Sequence, residues 1–241
     1  NGSDEVLNFA FMAYCDNNTP AVFNDITYGF YKVFASINQV PTKVIALKDD
    51  FSVDVEQFIN SKGTIFLANP NAPTGLVLSL DQIEKIVSSN PNRVVVVDEA
   101  YVDFGSSSAV SLVDKYDNLL VTQTFSKSRS LAGARLGFGL ANQKIIADLM
   151  TIKYSTNPYN VNRMTLGLGT GAILDTEYFK QNCKKIIEDR EFTTVELEKL
   201  GFTLTNSKAN FIFAKHPKID GQALYLALKE RGILVRHFND Q

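Results

Sequence analysis

Lys127 is the lysine of the stretch TQTFSKSRSLAGARLG, residues 122–137, and hydroxyls surround it at Thr124, Ser126 and Ser128. Most lysines serve as solvated surface cations and need no such company. An amine held among small polar residues just after an apolar run is suited to bonding with a carbonyl carbon. Arg135 follows eight positions later, after Ala132 and Gly133. Hydroxyls together with a guanidinium make a site for phosphate. The opening Gly2-Ser3-Asp4-Glu5 reads as the first turn of a helix. Such a turn offers free backbone N–H groups and the positive end of the helix dipole to the same anion. Asp98 follows four valines, Val94–Val97. A carboxylate at the end of a buried strand is costly unless a cation or hydrogen-bond donors meet it. Taken alone, Asp98 would be read as a helix cap or an ion-pair partner. With Tyr101 three residues later, it can instead hold a proton on a heteroaromatic nitrogen while the phenol meets the same ring.

These residues need a frame. The pattern alternates strands and helices. Helical spacing covers Ser3–Ala13, Thr27–Asn38, Val53–Ser61 and Ser79–Ser88, and short apolar runs mark strands at Ala21–Asn24, Lys43–Leu47, Thr64–Ala68, Arg93–Val97 and Leu119–Thr124. A β-branched run without alternation suits a strand buried on both faces. Repeated β-α-β units of this kind predict an α/β domain with a mostly parallel central sheet flanked by helices. In open sheets the ligand sits beyond the carboxyl ends of the strands. NPNAPTG, DEAY and TFSKSRS each follow such a strand. Further helices are expected at Gln143–Lys153, Arg163–Asp175, Glu177–Leu200 and Gly221–Arg231, with strands at Phe202–Thr205, Phe211–Ala214 and Ile233–His237. This divides the chain into a large domain, 1–185, and part of a small α+β domain, 186–241.

The composition of the 241 residues narrows the functional classes. A net charge of −2 gives no electrostatic footprint for nucleic acid. The four-valine run is far too short to span a bilayer, so no membrane partner is expected. Two cysteines, Cys15 and Cys183, cannot build a disulfide framework and fit a reducing cytoplasm. His216 and His237 have no partner at metal-ligand spacing, so no metal site is expected. GLGTG at 167–171 follows a helical pattern and is not a dinucleotide fingerprint. The chain begins inside a motif and stops at RHFNDQ, and it is read as a fragment cut at both ends.

An amine for a carbonyl, a phosphate site, a buried carboxylate and a phenol together meet the demands of pyridoxal 5'-phosphate. NGSDE, TYGFY, NPNAPTG, VVVVDEAYVDF, TFSKSRSLAGARLGF, NPYNVN, KANFIF and GILVRHF occur in that order along the chain. On these stretches the chain resembles the fold-type I, class II pyridoxal-phosphate aminotransferases, and is most similar to their histidinol-phosphate group. The resemblance implies that Lys127 bonds to the cofactor and later moves the substrate's proton. It implies that Asp98 pairs with the ring nitrogen and that Tyr101 donates to the ring's phenolic oxygen O3′. Arg135, Ser126 and Thr124, with the backbone N–H groups of Ser3, Asp4 and Glu5, are expected to hold the phosphate. Tyr31 is expected to stack on the ring, with a core aromatic as the plainer alternative.

One position departs from the family motif. Where an asparagine usually precedes Pro-Thr-Gly and contacts O3′, this chain has Ala72. Either Asn71 reaches in, or Tyr101 alone supports that oxygen. For the substrate, the resemblance offers Arg236, with Asn160 and Asn210 as weaker candidates. It implies a cytoplasmic homodimer that moves an amino group between L-histidinol phosphate and 2-oxoglutarate, an amino donor and a 2-oxo acid, in histidine biosynthesis. Threonine-phosphate decarboxylases and aromatic aminotransferases share these motifs, and a non-catalytic, cofactor-binding or dimerising fragment is the rival from another class.

Overall fold

Alternate residues of a strand face opposite sides of a sheet, and here both sides are apolar. In the sequence Val95-Val96-Val97, Val96 packs with Leu7, Phe11, Phe23, Phe34 and Phe66, whereas Val95 and Val97 pack with Ile65, Leu67, Ile83, Ile86 and Val121. A side chain of this size buried on both sides contributes about 1.5–3 kcal/mol. Continuous valines therefore specify a central strand rather than a surface one.

The computed structural model describes residues 1–238. Strands β1 (Ala21–Asn24), β2 (Thr42–Ile45), β3 (Thr64–Ala68), β4 (Val95–Asp98), β5 (Leu119–Thr124) and β6 (Gly137–Ala141) form one sheet in the order β2-β1-β3-β4-β5-β6. The first five run parallel, and β6 pairs antiparallel with β5. Helices α1 (Gly2–Tyr14), α2 (Phe30–Ile37), α3 (Leu80–Ser88), α4 (Gln143–Thr156), α5 (Arg163–Leu174), α6 (Thr176–Lys199) and α7 (Gly221–Glu230) complete the frame. One face of the sheet is covered by α1, α2 and α4, and the other by α3 with two short 3-10 turns. Ser79 and Gln82 form a reciprocal capping box that fixes the start of α3.

Beyond α6, β7 (Thr203–Leu204) and β8 (Ala214–Lys215) form a small antiparallel pair. The expected boundary at 185/186 falls inside α6, which is continuous. This second region is tied to the first. Buried Arg190 of α6 donates to the carbonyls of Phe104 (2.8 Å) and Ala209 (2.7 Å), and the Lys208 N–H donates to the Gly75 carbonyl (2.8 Å).

The structure differs from expectation in four places, one of them Phe211–Ala214, where only Ala214 lies in a strand, β8. Val53–Ser61 yields only a 3-10 turn, Val55–Phe58, and the chain then turns at Asn60 with φ 53°. β6 is absent from the expectation, because Gly-Phe-Gly-Leu-Ala carries little strand propensity and gains its place by pairing with β5. Residues 233–237 form no strand: among the described residues none pairs with them, and Ile233, Leu234 and Val235 are exposed.

Candidate active site

The carboxyl ends of β3, β4 and β5 meet in register. Asp98 closes β4 opposite Ala68 of β3 and Thr122 of β5. Period-two alternation puts Asp98 on the same face as Val96, towards α2. There the Tyr31 hydroxyl donates to one carboxylate oxygen (3.2 Å) and the Thr122 hydroxyl to the other (3.2 Å). Asp98 is 5% exposed. Burial pushes its carboxyl up to about 6, even though both hydroxyls favour the anion. The site therefore presents a carboxylate that gains from a cationic N–H.

Lys127 stands at the tip of a closed loop. The Phe125 N–H donates to the Leu136 carbonyl (3.0 Å), the Leu131 N–H to Phe125 (2.9 Å) and the Ser130 N–H to Lys127 (3.0 Å). Phe125 is buried and anchors the loop. The ammonium lies 5.1 Å from the centre of the Tyr101 ring, within cation–π range. Tyr101 itself packs edge-on against Phe211 at 4.9 Å. A residue beyond α6 thus supports a side chain at the end of β4.

The start of α1 forms the third wall. The Gly2 N–H donates to the Arg135 carbonyl (2.7 Å). Ser3 and Asp4 are in the first helical turn, where N–H groups have no acceptor within the helix. Arg135, at φ 51°, turns its guanidinium back to Asp4 (3.0 Å), and Asp4 also accepts from the Tyr28 hydroxyl (2.7 Å). Two glycines permit this approach. Gly2 has φ +76°, and an added Cβ there would meet Arg135 at 3.0 Å. On Gly137 a Cβ would lie 2.2 Å from the Ser3 nitrogen, with no room to yield because both neighbours are backbone. Gly137→Ala is therefore expected to push the helix start away, lowering stability by about 1–3 kcal/mol. The same change should weaken binding of a phosphate-bearing ligand about tenfold or more. Thermal unfolding and a ligand titration of the variant check both effects.

Between these walls lies one cleft with about 550 Å³ of empty space, part of it open to solvent. Ser3, Asp4 and Arg135 line one end; Tyr101, Ser126 and Lys127 line it as well, and Asp98 contributes from below.

Residues 1–240 match the family Aminotransferase class I and II. The chain is also 51% identical over 239 residues to the histidinol-phosphate aminotransferase of Brachyspira hyodysenteriae, covering 99% of this chain and 68% of that protein. The chain belongs to the class I and II aminotransferases. The fold agrees with solved structures of the family. The histidinol-phosphate aminotransferase of Clostridium acetobutylicum superposes with a TM-score of 0.90 at 24% identity, covering 98% of this chain and 72% of that one. The Sinorhizobium meliloti enzyme, solved in complex with pyridoxal-5'-phosphate, gives 0.89 at 21% identity, with 99% and 68% covered.

As a class I and II aminotransferase the chain brings Lys127, Asp98, Tyr101, Ser126, Thr124, Arg135, Ser3 and Asp4 to one cleft. Thr124 also accepts the Ser126 N–H (3.1 Å). Several expected contacts are placed elsewhere. Tyr31 is fully buried in the core beneath the cleft and meets Asp98, so it presents no face to a ligand. The aromatic in the cleft wall is Tyr28, which precedes α2. A signal was available: Tyr31, Phe34 and Ala35 fall at i, i+3 and i+4, a core stripe, whereas Tyr28 lies outside the helix. Asn71 does not reach in. Its amide donates to Ile26 and Thr74 (both 3.0 Å) and accepts from Thr27 (2.8 Å), so it holds two loops together. Ala72 lines the cleft instead, and among the described residues no amide lines it in place of the family's asparagine. Glu5 lies at the first helical position whose N–H finds an acceptor in the helix, and its carboxylate accepts from the Asn160 amide. Ser128 turns its hydroxyl to Asp103.

None of the three substrate candidates lines the cleft. Arg236 borders a recess beside α7, with its guanidinium 5.1 Å from the Phe238 ring. Asn160 is engaged with Glu5, and Asn210 is exposed next to Phe211.

Proposed function

We infer that this chain is a pyridoxal-phosphate-dependent aminotransferase that moves an amino group between L-histidinol phosphate and 2-oxoglutarate in histidine biosynthesis. The observation that carries the reading is the convergence of Asp98, Tyr101 and Lys127, from the ends of β4 and β5, on a cleft bordered by the α1 start. Half-identity to a histidinol-phosphate aminotransferase supports the substrate.

The residues fit the cofactor on chemistry this structure displays. A buried carboxylate, 5% exposed and with no ion-pair contact among the described residues, is matched to a ring N–H. Free N–H groups at the α1 start, the Ser126 hydroxyl and the Arg135 guanidinium are matched to a phosphate. When bound, pyridoxal phosphate supplies a protonated pyridine ring that draws off the electron pair left at the substrate's Cα. Lys127 Nζ would hold the group covalently and, as a free amine, would take the proton from the substrate's Cα. Asp98 keeps the ring nitrogen protonated. Tyr101 donates to the phenolic oxygen, and with Ala72 beside it there is no amide to share that role. Arg135 would hold the phosphate by giving up part of its contact with Asp4. That exchange costs little, because the pair is half-exposed.

The working form is a cytoplasmic homodimer in this reading. Met164, Leu168 and Leu174 of α5 and Phe192 of α6 are more than half exposed, which supports a second copy as their cover. Both cysteines are free thiols, in keeping with a reducing compartment.

A substrate panel with the cofactor-loaded protein tests the assignment. Amino transfer from L-histidinol phosphate to 2-oxoglutarate, preferred over free phenylalanine and without release of carbon dioxide, is expected. Preference for phenylalanine, or carbon dioxide from threonine phosphate, would replace the substrate and leave the fold assignment standing.

A further inference from the structure

Tyr31 and Thr122 approach Asp98 from opposite elements. Tyr31 belongs to α2 and is fully buried; Thr122 belongs to β5 and is also fully buried. Each gives its hydroxyl proton to a different oxygen of the same carboxylate, at 3.2 Å. Neither hydroxyl touches the open part of the cleft. A phenol buried this deeply needs a polar partner. Tyr31 could have been a phenylalanine at no packing cost, since its ring already packs against Phe23 and Phe66.

We propose that Tyr31, with Thr122, is a positioning residue that holds Asp98 as an oriented anion so that it can keep the cofactor's ring nitrogen protonated. The inference rests on the reading above for the nitrogen, but the carboxylate clamp itself does not. Of the other groups around Asp98, the Lys127 ammonium in the same cleft favours the anion, and the rest oppose it or are neutral to it. Asp4 of α1 adds like charge, and burial by β3, β4 and β5 removes water. Tyr28, Tyr101 and Lys127 line the cleft above. The Ala100 N–H and the two hydroxyls are the donors that favour the charged form. Removing one donor to a buried carboxylate must then raise the pH at which it ionises.

The test uses cofactor-free protein, so it does not depend on the transamination reading. The infrared band of the protonated Asp98 carboxyl, identified as the band lost in Asp98→Asn, is followed against pH. Tyr31→Phe keeps the ring and its packing. Its midpoint is expected to lie about one pH unit above that of the unaltered protein. Thr122→Val should move the midpoint the same way, and the double variant further. In the loaded enzyme Tyr31→Phe should lower kcat about tenfold with little change in KM. A folded Tyr31→Phe protein with an unmoved midpoint would overturn the proposal, as would a downward shift. If Tyr31→Phe fails to fold, an unmoved midpoint in Thr122→Val overturns it equally. A shifted midpoint in a protein that does not transaminate would uphold the clamp and refute only the assigned reaction.

Discussion

Lys127→Ala is expected to reduce amino transfer by about 10³-fold or more, because in the proposed function one side chain would carry both the covalent attachment and the proton transfer. Steady-state turnover of L-histidinol phosphate with 2-oxoglutarate measures it. Lys127→Arg separates the two things a lysine offers. An arginine keeps a cation near the Tyr101 ring, where the ammonium now lies 5.1 Å from the centre. Its guanidinium is too basic to give up its proton at neutral pH, so it offers no lone pair to act as nucleophile or base. Both variants should therefore fail alike. If Lys127→Arg retained most of the turnover, Lys127 would be acting as a charge and the covalent role would be lost. The loop should tolerate the change, since its closure depends on Phe125, Ser130, Leu131 and Leu136 and not on the ammonium.

Asp98→Asn is expected to pull activity and stability in opposite directions. An asparagine cannot hold a proton on the ring nitrogen by charge, so turnover should fall by about 10²-fold or more. In cofactor-free protein the sign reverses. Burial raises the Asp98 carboxyl from an ordinary value of 3.8 to about 6. The folded state thus binds the proton more tightly than the unfolded chain. Its contribution to stability is full below about 3.8 and is lost as pH rises through about 6. The gap corresponds to about 3 kcal/mol. Asp98→Asn has no such titration. Above pH 6 the cofactor-free variant should be more stable than the parent by up to that amount, and the advantage should vanish in acid. Denaturant unfolding at several pH values checks this. A variant less stable than the parent at neutral pH would mean that the carboxylate is not strained by its burial. Added pyridoxal phosphate should reverse the order if, as proposed, it pairs with Asp98, since a ligand that binds only the folded parent stabilises it.

Much of this site is legible in the sequence because strand ends are legible. Four valines and then Asp98, or an apolar run and then Thr124-Phe-Ser-Lys127, fix both the element and the point where it opens to a ligand. The two-residue period then decides which face Asp98 takes. The aromatic wall was less legible, because TYGFY contains two tyrosines with different surroundings. Helical spacing places Tyr31 in the core stripe, while Tyr28 lies before the helix, and the family resemblance alone did not separate them. The choice between Asn71 and Tyr101 is not legible in the sequence for a related reason. Sequence gives an amide's position in a loop but not the partners that claim it, and here Ile26, Thr27 and Thr74 do so. β6 and the segment after α7 show the same limit for backbone. Strand formation at Gly137–Ala141 depends on β5 alongside, and residues 233–237 have no such neighbour among the described residues.

The most direct test mixes the purified protein with pyridoxal phosphate, reduces it with borohydride, and maps the modified peptide by mass. The account predicts one cofactor per chain, bound permanently through Lys127, with no labelled peptide from Lys127→Ala. Labelling that is spread over surface lysines, or that persists in Lys127→Ala, would contradict it.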